Sequence, residues 1–270
     1  MMKRFGSGIV LVCLLAAGRG LAQFAPHEMF QPAVYTNAQG QILPYRLSAP
    51  QFPKKGKKYP IILFLHGSGE CGTNNYTQTK TGLPALMRVL VTRPEQVIVV
   101  APQCRVSQWW VKKLAIEPDY TAAERPMNSL KLAIEICQQL MKTHPADPDR
   151  FYITGLSLGG FGTWDAIQRD PTLFAAAAPI CGGGDTKKIP KALRKLPIYV
   201  AHGAKDQNVP VDCSRRMVEA LAKNGCKQVK YVEFPEGKHT IWDKVYGDPK
   251  FVNWLLTQTK KKPWWKFWGR

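Results

Sequence analysis

Gly155-Leu156-Ser157-Leu158-Gly159 constrains this chain more than any other stretch, because the apolar run Phe151 to Thr154 precedes it and the helix-like run Phe161 to Gln168 follows. That order predicts a strand, a sharp turn carrying a serine, and a helix. A strand that turns abruptly into a helix strains the backbone at the serine, and glycine on either side leaves room for the two segments to cross. The hydroxyl is then held out at the end of a sheet. Pentapeptides of this kind also occur as inert turns, so the meaning of this one rests on its surroundings.

A serine hydroxyl becomes a nucleophile only when a histidine takes its proton and a carboxylate orients that histidine. In a strand–serine–helix architecture the chain order is serine, acid, histidine. Leu196 to Ala201 reads as a buried strand running into His202-Gly203-Ala204-Lys205-Asp206, and Val229 to Phe234 as a strand running into Pro235-Glu236-Gly237-Lys238-His239. Asp206 and His239 are therefore the expected acid and base. Asp185, after Cys181-Gly182-Gly183-Gly184, is the competing acid. His66 and His202 end apolar strands and are assigned structural roles near the site; His27 and His144 read as surface residues.

Acyl transfer builds charge on an oxygen, which two backbone N–H groups fixed in advance can stabilise. The N–H of Leu158 is the first candidate donor. Pro60 to Leu65 is a nearly continuous apolar strand that leads into His66-Gly67-Ser68-Gly69-Glu70, which makes the N–H of Ser68 the second, with Gly69 beside it.

These segments, with Ala101-Pro102-Gln103-Cys104 and the extension Gly160-Phe161-Gly162-Thr163-Trp164-Asp165, resemble secreted bacterial α/β-hydrolases of the predicted-peptidase, phospholipase/carboxylesterase-like and polyhydroxybutyrate-depolymerase-like esterase group. The resemblance runs from about Tyr35 to Leu256. It implies Ser157 as nucleophile, Asp206 as acid and His239 as base. In that group an arginine follows the glutamate of the HGxGE loop, whereas Cys71 stands here, so a loop-anchoring ion pair from that position is not expected.

Strands alternating with helices, including amphipathic runs at Leu130 to Met141 and Val211 to Lys223, predict an α/β fold with a mostly parallel sheet covered on both faces. Alternating segments at Ala33 to Tyr35 and Ile42 to Ser48 around Asn37-Ala38-Gln39-Gly40 predict an N-terminal antiparallel hairpin. Three parts are expected: a secretory signal peptide over residues 1–22, one catalytic domain over 23–258, and a basic aromatic tail over 259–270. Lys3 and Arg4 followed by a short apolar core and Gly20-Leu21-Ala22 suit cleavage and a secreted or periplasmic location. The formal charge of +19 falls to about +16 with the leader's three cations removed. Such a field attracts anions, and without a nucleic-acid motif it points to acidic polysaccharides or membrane surfaces instead. Lysines interleaved with Trp264, Trp265, Phe267 and Trp268 would suit peripheral membrane contact through the tail.

Six cysteines outside the leader allow disulfides, with Cys71 to Cys104 the expected pair because both follow strand ends. Trp109, Trp110 and Trp242 lie on loops expected to face the site and are candidate substrate-lining residues. No metal or organic cofactor is called for, since HExxH-type spacing is absent. The combined expectation is a serine carboxylesterase acting on carboxylic esters, including ester decorations of polysaccharides. Two alternatives stay open: a serine peptidase of the same fold, against which stands the lack of a propeller-type gating domain in the sequence, and a noncatalytic surface or carbohydrate-binding protein.

Overall fold

The computed structural model describes residues 26–112 and 120–260. The expected leader, and the tail from residue 261 onward, lie outside the described residues.

Eight strands form one sheet: β1 (Gln31–Thr36), β2 (Ile42–Ser48), β3 (Tyr59–Leu65), β4 (Ile98–Pro102), β5 (Ala146–Leu156), β6 (Ala176–Ile180), β7 (Ile198–Gly203) and β8 (Val229–Phe234). Their order is β1-β2-β4-β3-β5-β6-β7-β8. The first two pair antiparallel as the expected hairpin, with Gly40 at φ 72° in its turn, and β2 joins the sheet antiparallel to β4. From β4 to β8 every pairing is parallel. Parallel strands need crossovers, and helices supply them. The helices are α1 (Leu83–Val91), α2 (Asn128–Thr143), α3 (Leu158–Arg169), α4 (Asp212–Lys223), α5 (Trp242–Tyr246) and α6 (Pro249–Thr257).

Side chains along β3 show why both faces must be covered. Ile61, Leu63 and Leu65 enter one apolar layer with Leu132, Ile136 and Leu140 of α2, Phe161 and Trp164 of α3, and Met217 and Leu221 of α4. Ile62 and Phe64 point the other way, into a layer with α1, Tyr246 of α5 and Phe251 of α6. The continuous apolar sequence of the strand is therefore buried on both sides, as parallel sheets require. Helix α1 is not among the elements expected from the sequence. Its start is set by Gly82 at φ 69° and by a proline in the first turn, and Leu83, Leu86, Met87 and Leu90 form its buried face.

Ligands of open parallel sheets bind beyond the strands' carboxyl ends. The loops after β3, β5, β7 and β8 carry Ser68, Ser157, Asp206 and His239 to that edge.

Candidate active site

Ser157 sits between β5 and α3 with φ 54° and ψ −117°, a conformation that L-residues rarely adopt. Its flanking glycines make the turn possible. A Cβ on Gly159 would lie 2.0 Å from the carbonyl oxygen of Leu65, and one on Gly155 would lie 2.4 Å from that of Gly159. The Ser157 N–H donates to the Ile180 carbonyl at 2.9 Å, which fixes the turn against β6. Only 8% of Ser157 is exposed.

The loops after β7 and β8 are pressed together, because a Cβ on Gly203 would fall 2.4 Å from the carbonyls of both Gly237 and Lys238. This approach brings the expected acid and base into line. His239 Nδ1 lies 2.6 Å from Asp206 Oδ2, and its Nε2 lies 2.9 Å from Ser157 Oγ. The Asp206 Oδ1 accepts from the N–H groups of Asn208 at 2.8 Å and Val209 at 2.9 Å. His202 Nε2 stands 3.2 Å from Oδ2 of the same carboxylate, while its Nδ1 meets the Ser214 hydroxyl at 2.7 Å. Burial pushes the Asp206 pKa up, but the hydrogen bonds from His202, His239 and Val209 outweigh it and hold the group well below the usual carboxylate range. The competing acid, Asp185, is taken up elsewhere. Its two carboxylate oxygens accept the N–H groups of Ala122 and Lys187, clamping the loop after β6.

On the other side of Ser157 lies the loop Gly67-Ser68-Gly69-Glu70, which lines a cavity of about 370 Å³ together with Ser157 and His239. Leu158, the other expected oxyanion donor, is the first residue of α3, where backbone N–H groups have no partner within the helix. The loop is braced by neutral groups. Gln103 Nε2 donates to the Glu70 carbonyl at 3.0 Å, to Thr77 Oγ1 at 2.7 Å and to Asn74 Oδ1 at 3.0 Å, and its Oε1 accepts the Asn75 N–H at 2.7 Å. Gly72 donates to the Cys104 carbonyl at 2.9 Å. His66 is fully buried; its Nε2 accepts the Cys104 N–H at 3.1 Å and its Nδ1 contacts the Gly67 carbonyl at 2.6 Å. Burial lowers its pKa to about 4. Cys71 itself places its Sγ 3.6 Å from that of Cys104, so the two thiols expected to pair are brought into contact, unlinked.

The three tryptophans part company. Trp242 lines the cavity and sets its ring edge-on to His239 at 5.0 Å between centroids. Trp110, expected there too, has no exposed surface: its indole N–H donates to the His66 carbonyl at 3.0 Å and its side chain fills the space left by Gly162, where a Cβ would come within 2.7 Å. Trp109 packs half-buried against the same apolar layer and is not part of the cavity wall. Glu70, Thr81, Asn208 and Val209, none of them among the expected substrate-lining residues, also line the cavity. Among the described residues, two groups bring metal-ligating atoms together, His66 with Cys71 and Cys104, and Cys181 with His202 and Asp206. In both, the imidazole nitrogens are already engaged by protein groups.

A serine, histidine and carboxylate in this line can pass a proton from the hydroxyl to the imidazole while a substrate occupies the cavity. The chain is 36% identical to a thermostable esterase of known structure, with a TM-score of 0.78, covering 87% of this chain and 64% of that one. A ferulic acid esterase shares the fold at a TM-score of 0.63 and 17% identity, covering 84% of this chain and 97% of that one. Among characterised proteins, a bifunctional acetylxylan esterase/xylanase of Neocallimastix patriciarum is 28% identical over 167 residues, which are 61% of this chain and 21% of that protein's length. Residues 52–250 match the phospholipase/carboxylesterase family, and with an eight-stranded α/β-hydrolase sheet behind that match the chain belongs to this family.

Proposed function

We propose that the protein is a serine carboxylesterase that acts through an acyl-enzyme outside the cytoplasm, on ester decorations of polysaccharides. The observation that carries the reading is the unbroken line from Ser157 Oγ through His239 to Asp206, opening on the cavity beside the Ser68 loop.

In this mechanism His239 takes the Ser157 proton as Oγ attacks the ester carbonyl, and the carboxylate of Asp206 holds the Nδ1–H tautomer and steadies the imidazolium. The N–H groups of Leu158 and Ser68 receive the developing oxyanion, and the partial positive charge at the start of α3 adds to the stabilisation. His239 then protonates the leaving alcohol, and water repeats the sequence on the acyl-enzyme. The substrate class is supported by the likeness to acetylxylan and ferulic acid esterases and by the excess of positive charge.

The test is a panel of p-nitrophenyl acyl esters, methyl ferulate, acetylated xylan and a peptide anilide, given to the full chain and to Ser157→Ala. Ester turnover that disappears in the variant is expected. Amide cleavage outrunning ester cleavage would replace the reading with a peptidase, and turnover that survives the substitution would remove Ser157 from the chemistry.

A further inference from the structure

One cavity wall carries a charge that the triad does not use. Glu70 lies at the end of the oxyanion-side loop and lines the same cavity as Ser157. Its Oε1 accepts the Thr81 hydroxyl at 2.7 Å, which fixes the carboxylate's position. Its Oε2 lies over Gly67, 3.1 Å from where a Cβ on that glycine would stand, and takes no hydrogen bond from a described residue. Among the described residues no lysine, arginine or histidine pairs with it, although the chain carries 38 lysines and arginines against 19 acids. A carboxylate held beside a reacting serine accepts hydrogen bonds and repels negative charge.

We propose that Glu70 is a specificity-determining residue: it accepts a hydroxyl of the substrate through Oε2 and excludes esters that carry a negative charge on the arm lying over the Ser68 loop. The inference rests on the reading of Ser157 as nucleophile and narrows its substrate class to esters on neutral, hydroxyl-bearing sugars, not on free uronates. Two fields then act with opposite sign. The excess positive charge of the whole molecule draws an acidic polymer toward the surface, while one carboxylate inside the cavity selects the neutral sugar from it. At contact range the nearer charge dominates, because the distant ones are screened by water and salt.

The experiment compares two pairs of esters that share a scaffold, one member anionic and the other neutral. On the acyl side, the p-nitrophenyl ester of glutaric acid is set against that of its monomethyl ester. On the alcohol side, 4-carboxyphenyl acetate is set against 4-(hydroxymethyl)phenyl acetate. In at least one pair the wild type should prefer the neutral ester by about tenfold in kcat/KM, equivalent to ~1.4 kcal/mol. Glu70→Gln, whose amide oxygen still accepts the Thr81 hydroxyl, should bring that ratio close to one. A brace with no role in selection would move both members of a pair together and leave the ratio alone. If the variant folds poorly, the wild type still decides: its preference for the neutral ester should persist as salt is added, because salt screens the distant cations that attract the anionic ester and leaves the contact with Glu70 in place. Wild-type kcat/KM for the anionic esters equal to or above the neutral ones in both pairs would overturn the inference, as would a ratio unchanged by Glu70→Gln. If no ester shows Ser157-dependent turnover, the functional reading falls and this inference with it; Ser157-dependent turnover without charge discrimination removes this inference alone.

Discussion

The two sides of Ser157 are built on different principles. On the β7–β8 side, Asp206 is a buried carboxylate surrounded by donors from His202, His239, Asn208 and Val209, so the arm works through charge. On the β3–β4 side the backbone of the Ser68 loop is held by an amide, Gln103, and by a buried imidazole, His66, whose Nε2 accepts a backbone N–H and must therefore be unprotonated. The contrast follows from what each side does in the proposed mechanism. An imidazolium forms on one side and needs a nearby anion; an oxyanion forms on the other and needs fixed N–H dipoles. A cation at position 71 is one way to anchor such a loop, and neutral hydrogen bonds from Gln103 are another.

Breaking the charged arm should have the largest effect. Asp206→Asn keeps the shape but loses the acceptor that selects the His239 tautomer, and kcat should fall by about 10⁴-fold with little change in KM. Steady-state kinetics on a p-nitrophenyl ester checks this, and a loss under tenfold would mean that His202 or another group orients His239.

Acid should strike the neutral arm through His66. Folding keeps this imidazole neutral down to about pH 4, whereas an unfolded chain binds the proton near pH 6.5. Between those values the unfolded state holds more protons, so stability is full above the window and falls as pH drops through it, by about 3 kcal/mol in all. Urea unfolding across that range, compared with His66→Gln, measures the contribution; the variant should show a shallower pH dependence. An equal slope in both proteins would assign the acid sensitivity to other groups.

The smallest of these effects belongs to Gln103. Gln103→Leu leaves the Asn75 N–H without its acceptor and the Glu70 carbonyl short of a donor, at a cost of about 1–3 kcal/mol in stability. Displacing the Ser68 loop should also lower kcat by roughly 10-fold to 100-fold. A variant that loses stability but keeps kcat would show that the loop holds its geometry without this brace.

The positions of Ser157, Asp206 and His239 at the sheet's carboxyl edge were legible because each follows a short apolar strand, which is local pattern. The hairpin, the parallel strands and helix α2 were legible for the same reason: their apolar spacing is local information. Trp110 was not. In the sequence it sits on a loop, and its burial depends on partners distant in the chain: the His66 carbonyl and the missing side chain at Gly162. The setting of Asp185 was not legible from sequence either, because its partner Ala122 comes from a loop distant in the chain. Glu70 was visible in the loop motif, but its role depends on Thr81 and on the cavity, and neither follows from spacing.

The role of Ser157 as nucleophile is tested by labelling the intact protein with a p-nitrophenyl alkylphosphonate ester, release of p-nitrophenol giving the stoichiometry and peptide mass spectrometry the site. One phosphonyl group per chain is expected, on Ser157, formed far more slowly in His239→Ala. Labelling at another residue, or none in a folded chain that hydrolyses esters, would contradict that role.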